Sequence, residues 1–363
     1  MYFFKKKLQF IFKSFFRSIF KILYGKIYFS DKIMNIEVNT INSANTINFY
    51  NNKYNVYKII NGRIYSDNVN NVAVISGNQI IKGASYQQIN GELRDASENV
   101  TLKIGTPRIK KYYKGRVLCL AQGASGHINY CHWLLDILPK FKLYSEIYKL
   151  SDLKYIYLNK LNNFQKESLK LLGLDDIEVI DSNSKRHIQS DEIVATDHPN
   201  YYKGFILQEQ KNMPTWIIEW LRNCFLRKLK KADSPEKIFI DRSQSIFKHC
   251  QIVNYKETLE FLEKHGFKSY KLENLSFKEQ INLFQNSKTI LSAHGAGLAN
   301  LTFCSSNAKI IEIRPENNPN EVYKTISKIN NLNYNLYSTP KLKATNENGD
   351  IKIDFNILKN FIN

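Results

Sequence analysis

Thr289-Ile-Leu-Ser-Ala-His-Gly-Ala-Gly-Leu-Ala-Asn-Leu-Thr-Phe303 is the stretch on which the fold turns. Thr289 to Ala293 reads as a short apolar strand. The chain then breaks at His294-Gly295-Ala296-Gly297 and resumes with helical spacing at Leu298, Leu301 and Thr302. A strand that passes through glycines into a helix leaves backbone N–H groups free at the helix start, and with the helix dipole these attract an anion. Glycine lets a phosphate approach the backbone closely, and an imidazole at the mouth adds a donor. The same residues also fit a tight turn with a capping histidine.

On both sides of this turn, strands and helices alternate. Strands are expected at 237–241, 268–272, 289–293, 309–313 and 334–337, with helices at 255–264, 277–286 and 320–330. Such alternation implies right-handed crossovers and a parallel, doubly wound sheet over 233–340. Ligands of these sheets bind at the carboxyl ends of the strands, where His294 lies. A similar rhythm runs through 113–232: strands at 115–120, 154–158, 177–180 and 193–196, a loop at Gly123–Gly126, and helices from Asn129 to Tyr148, 164–172 and Trp216 to Lys231. Asp233-Ser-Pro235 reads as a connection between domains. Residues 31–112 carry short alternations and a hairpin signal at Gly77-Asn78, and form a β-rich subdomain. Residues 341–363 are a polar segment with a short helix, expected to pack back on the other domain.

Residues 1–30 stand apart. Leu8, Ile11, Phe12, Phe15, Phe16, Ile19, Phe20 and Leu23 recur at steps of three and four and share a helix face. Lys5, Lys6, Lys7, Lys13, Arg17, Lys21 and Lys26 surround them, and no acid precedes Asp31. Residues 1–29 therefore fit an amphipathic helix on an anionic membrane surface. Packing on the protein's own domain is the competing use of that face.

The 363 residues carry a net charge of +19, which favours anionic partners. No RNA-binding aromatic motif or zinc finger accompanies the charge, so nucleic acid is not among the expected partners. Five scattered cysteines without a C-x-x-C pair suit a reducing compartment. No apolar run reaches the roughly 18 residues needed to cross a bilayer. The expected location is cytoplasmic, peripheral on the inner face of the membrane.

Three stretches combine polar residues with strand ends or helix starts. In His127-Ile-Asn129-Tyr-Cys-His132-Trp-Leu-Leu-Asp136, His132 and Asp136 are four apart and share a helix face. Either can take a proton; a helix start with a satisfied histidine fits as well. His127, Cys131 and His132 lack the further partners a metal site needs. Phe239-Ile-Asp-Arg242 delivers Arg242 to a strand end, with Lys248 and His249 in the loop beyond, and a guanidinium there can clamp a diphosphate. Lys309-Ile-Ile-Glu312-Ile-Arg314 places Glu312 near the end of a buried strand, where a lone carboxylate is costly unless bonded. A ribose hydroxyl or Arg314 is its expected partner.

The pattern Asn129-x-x-His132-Trp133-Leu134-x-Asp136-x-x-Pro139, then Arg242, Glu279-Gln280-Ile281, His294-Gly-Ala-Gly-Leu298-x-Asn300 and Ile311-Glu312 resembles glycosyltransferase family 61 over about 115–335. Bacterial members act in capsular polysaccharide biosynthesis. The resemblance implies an α/β, GT-B-like fold with two Rossmann-like domains facing a cleft. It also implies an inverting transfer with no required metal, from a nucleotide-sugar donor, UDP-sugar favoured, to a glycan acceptor. Arg242, His294, Gly295, Gly297 and Glu312 would then bind the donor, His132 and Asp136 would face the acceptor, and Ala296, Asn300, Asn129 and His127 are further expected substrate-binding residues. Where members often carry a second arginine shortly before the asparagine matched by Asn254, this chain has Cys250, leaving Lys248 or His249 to stand in. The sequence has no Asp-x-Asp motif. A hydrolase would need a Gly-x-Ser-x-Gly elbow, and the nearest match, Gly123-Ala-Ser-Gly-His127, lacks the last glycine. The alternative is a non-catalytic, membrane-associated nucleotide or polysaccharide binding protein of an export assembly.

Overall fold

The computed structural model describes residues 2–32, 36–42, 53–68, 71–89, 91–121, 129–200, 204–205, 213–229, 233–246, 248–340, 342 and 349–362. The loop at Gly123–Gly126, His127, the end of the basic helix at Lys230–Lys231 and residues 341 and 343–348 of the polar segment lie outside them. The chain forms two compact units. The first comprises Met1–Ile128, Asp136–Leu161 and Asp176–Glu209; the second comprises Asn129–Leu135, Asn162–Asp175 and Gln210–Asn363.

In the first unit, four strands lie parallel in the order Glu178–Asp181, Tyr155–Leu158, Lys111–Cys119, His187–Thr196. The last strand starts six residues before its apolar end at Ile193, because its polar first half finds partners on both edges. One edge pairs with Lys111–Leu118 in parallel; the other pairs antiparallel with Arg63–Tyr65 and with Val56–Ile60. The strands of the β-rich segment thus join the same sheet. The sheet is mixed, where the alternation of elements alone suggested a doubly wound parallel one. Asn71–Ser76 and Gln79–Ile80 form the expected hairpin, with Gly77 at a φ of +54° in the turn. Arg94 bonds Glu98 at 2.8 Å and Glu92 at 3.1 Å, and Asp95 caps a short turn, so this stretch is structural.

The expected continuous helix from Asn129 to Tyr148 is interrupted. Tyr130–His132 is one turn, Trp133–Ile137 a π-helical turn, and Leu138–Ser145 an α-helix. Pro139 lacks an N–H and crowds the carbonyl four residues back, and a widened turn before it relieves both. The basic helix is also shorter than expected: Thr215–Phe225, then a single 3₁₀ turn at Leu226–Lys228.

The second unit carries five parallel strands: Lys237–Ile240, Lys268–Tyr270, Thr289–Ala293, Lys309–Pro315 and Asn333–Thr339. Their spatial order is second, first, third, fourth, fifth. Side chains alternate between faces. One face sends Phe239, Leu291, Ile311, Ile313 and Tyr337 into a core shared with Leu262 and Phe267. The C-terminal tail closes that core with Ile351, Ile353, Leu358 and Ile362, so its described residues pack on their own unit's sheet, where packing on the other domain was expected. The opposite face carries Ile290, Ser292 and Glu312. His294 has the same parity as Ser292, and its N–H prolongs the ladder by donating to the Ile313 carbonyl at 2.8 Å. The segment after the glycine turn, Ala296–Phe303, is a 3₁₀ helix. Leu298 to Phe303 are buried on all sides, and its tighter coil suits a segment with no polar face to turn outward.

Candidate functional site

The second unit's strand order reverses between its first and third strands, and an open α/β sheet takes its ligand at that switch point. Arg242 follows the first strand by two residues, and His294 follows the third by one. The Arg242 guanidinium donates through Nη1 to the His294 carbonyl, and to the His249 carbonyl at 3.0 Å. Its plane lies against Gly295. A β-carbon built there would stand 2.8 Å from Nη2 and closer still to Nε and Cζ. Gly295 has a φ of 165°, extended backbone that any residue adopts, so it is the close approach of Arg242 that requires glycine. Gly297 makes room for Leu272 Cδ1 in the same way, at 2.7 Å. Burial lowers the Arg242 pKa, yet a guanidinium stays charged at neutral pH.

His294 is buried, and its Nδ1 meets Glu312 Oε1 at 2.5 Å. Glu312 is wholly buried; Tyr334 donates to its Oε2 at 2.5 Å, and Arg314 Nη1 stands 4.0 Å from Oε1. Parity makes this contact: Ser292 is in register with Glu312, and His294 extends the same face. The carboxylate fixes the ring through Nδ1, and Nε2 takes no part in that contact. The Tyr323 ring lies 5.2 Å from the His294 ring, and its hydroxyl bonds Cys131. The His249 ring is 6.5 Å from His294. Lys248 is exposed and donates to the Ser243 carbonyl at 2.8 Å. Asn300 is buried and its amide is spent on the protein: Tyr130 donates to Oδ1 at 2.6 Å, and Nδ2 donates to Gln280 Oε1 and the Gly297 carbonyl, both at 3.1 Å. It pins the glycine turn in place.

Asn129 caps the turn Tyr130–His132, accepting from the Cys131 and His132 amides at 2.9 and 3.3 Å. Trp133 is buried and donates to Ser168 Oγ at 2.8 Å. His132 is half-buried. His127 lies outside the described residues. In the first unit, Asp136 is wholly buried, and Asn200 Nδ2 donates to its Oδ1 at 3.1 Å. Lys140, also wholly buried, donates to the Leu120 carbonyl at 3.0 Å. Burial pulls its pKa down to about 8 against the opposing charges of Cys119 and Asp136.

Asn200, Lys140, Tyr323 and Tyr334 were not visible as site residues in the sequence. Tyr334 has a signal only in hindsight, the parity it shares with Glu312. Asp241 is a further buried acid, and a structural one: the Ser243 amide and Tyr255 hydroxyl each donate to it at 2.8 Å.

A parallel sheet of this order, with an arginine and a carboxylate-held histidine at its switch point, defines an open α/β domain of the kind that takes ligands at its strand ends. A model of the family described as Glycosyltransferase 61 matches residues 130–311, and the chain belongs to that family. The match spans Asn300 and His294 as well as Asp136 and Arg242. No curated protein matches the chain.

Proposed function

We propose that this protein is an inverting glycosyltransferase of the two-lobed GT-B kind, moving a sugar from a nucleotide-sugar donor to a glycan acceptor without a metal. The juxtaposition of Arg242, His294 and Glu312 at the switch point carries the reading. Arg242 and His294 Nε2 meet the diphosphate, and Ala296 opens the turn that follows. The chemistry is one displacement. The acceptor oxygen bonds to the anomeric carbon, the bond from that carbon to the diphosphate oxygen breaks, and the hydroxyl proton passes to a base. Charge on the leaving diphosphate is met by fixed donors that need no reorganisation. His132, half-exposed, is the group an acceptor hydroxyl reaches; buried Asp136, with Lys140 beside it, supplies the fixed negative charge. A UDP-sugar is the favoured donor, and capsule or another bacterial surface polysaccharide the favoured product.

The same reading places the enzyme at the inner face of the membrane through residues 1–29. No helix of the described residues is long and apolar enough to cross a bilayer. The helix Tyr2–Tyr24 leaves Phe12, Phe15 and Leu23 at 64%, 61% and 64% exposure, which favours an outside partner over self-packing.

The test is a calorimetric screen of nucleotide sugars, followed by product analysis with a glycan acceptor. His132→Ala and Asp136→Asn are each expected to abolish transfer while nucleotide binding persists. Donor binding with no turnover in any acceptor mixture would favour the non-catalytic binding protein instead.

A further inference from the structure

The helix Tyr2–Tyr24 is tied to the first unit along one edge. Arg17 and Phe20 are half-buried, and so is Tyr24. Tyr24 stacks on Phe20 and packs edge-on against buried His187, with ring centroids 5.7 and 4.9 Å away. Its hydroxyl accepts from the Lys110 amide at 3.1 Å, and Lys110 Nζ lies 5.4 Å from its ring centroid. The helix end is therefore bonded to the segment Pro107-Arg-Ile-Lys-Lys111. That segment is itself basic and exposed: Arg108 and Lys111 face solvent, and Ile109 is 71% exposed. No acid occurs in the sequence between Glu98 and Asp136. Burial and the charge of Asp67 push the Tyr65 hydroxyl's pKa up, and Arg108, Arg186 and Arg17 of the helix pull against them. Asp191 is occupied by the Tyr112 hydroxyl and the Gly115 amide, and Glu192 by Arg116.

We propose that Arg108-Ile109-Lys110-Lys111 and the exposed face of the helix over residues 10–23 form one docking surface for an anionic bilayer, with Ile109 entering the headgroup layer and the cations meeting lipid phosphates and carboxylates. The proposal rests on the peripheral-membrane reading above and extends it to a second, non-helical element. Bulky apolar side chains flanked by cations alone are the chemistry that an anionic leaflet selects. With two attachment elements bonded through Tyr24, the helix lies at a fixed place on the first unit, which a helix on a free linker would not.

The experiment measures co-sedimentation of the full chain with phosphatidylcholine vesicles, with and without phosphatidylserine. Two variants are compared, Arg108→Gln/Ile109→Ser/Lys111→Gln and Phe12→Ser/Phe15→Ser/Phe16→Ser. Both leave Tyr24, Lys110 and the switch point untouched, so circular dichroism and nucleotide binding stay as in the parent. Each lost cation weakens binding to anionic vesicles about fivefold. The first variant is expected to lose on the order of 25-fold or more, the second at least as much, and salt weakens the parent. Parent-like binding by the first variant alongside lost binding by the second confines the surface to the helix and overturns the proposal. A parent that binds neither vesicle overturns the membrane reading beneath it as well. Equal binding to both vesicle types, or loss by the first variant of oligonucleotide binding alone, also overturns it.

Discussion

Gly295→Ala isolates the placement of Arg242 from everything else in the second unit. The backbone at Gly295 is extended, with φ 165° and ψ 167°, and alanine adopts it without strain. The new methyl would stand 2.8 Å from Arg242 Nη2. Non-bonded carbon and nitrogen rest at about 3.5 Å, and Nε and Cζ stand closer to the new methyl than Nη2 does, so the guanidinium must retreat by roughly 1 Å. The hydrogen bond from Nη1 to the His249 carbonyl is now 3.0 Å. A shift of that size carries it past the roughly 3.2 Å edge of the ordinary range. Because a guanidinium is the far end of a flexible chain, it moves cheaply, and the fold should lose no more than about 1 kcal/mol. A diphosphate that relied on the original position loses a charge-assisted contact of about 2 kcal/mol, roughly thirtyfold in Kd. The assay is calorimetric titration of UDP into the parent and the variant, with thermal unfolding run alongside. Gly297→Ala is the control, because it displaces only a Leu272 methyl and should change Kd less than about threefold. Unchanged UDP affinity in a folded Gly295→Ala protein would refute the placement of Arg242 at the ligand.

Two further outcomes follow from the buried charges. Glu312→Gln keeps the shape but removes the charge that holds His294 Nδ1 and the Tyr334 hydroxyl; UDP affinity is expected to fall about tenfold, and Tyr334→Phe to reproduce part of the loss, roughly 1 kcal/mol. If Tyr334→Phe binds UDP as the parent does, the Tyr334 bond takes no part in placing Glu312 for the ligand. Lys140 has a folded pKa of about 8, below its unfolded value, so the unfolded chain binds the extra proton between about 8 and 10.5 and stability rises with pH across that window. Compared with Lys140→Met by urea unfolding, the parent should gain up to about 3 kcal/mol from low to high pH, and a flat difference between the two would show that Lys140 is not held desolvated.

Much of the fold was legible because period and punctuation are local properties. The strand–turn–helix punctuation of 289–303 and the alternation around it specify the five-stranded sheet, and the gap between Glu98 and Asp136 marks a basic segment without any coordinates. The glycine turn could be seen, but the reason for its first glycine could not. Gly295 answers to Arg242, 53 residues earlier, and that pairing exists only once the first and third strands lie side by side. Glu312 was visible as a buried carboxylate in need of a partner; which partner depended on register, which sets Ser292 opposite it and brings His294 and Tyr334 onto the same face. Asn300 looked like a ligand residue within its motif, and its burial against Tyr130 and Gln280 gave its amide to the protein instead. The mixed sheet of the first unit was hidden for a similar reason. Pairing direction belongs to two strands jointly, and the polar half of His187–Thr196 shows nothing of its neighbours until both edges are filled. The sequence by itself thus determined which segments become strands and which residues can carry charge, because those depend on nearest neighbours. Only the tertiary structure decided which charges meet, because that depends on strand order and register across distances no local pattern spans.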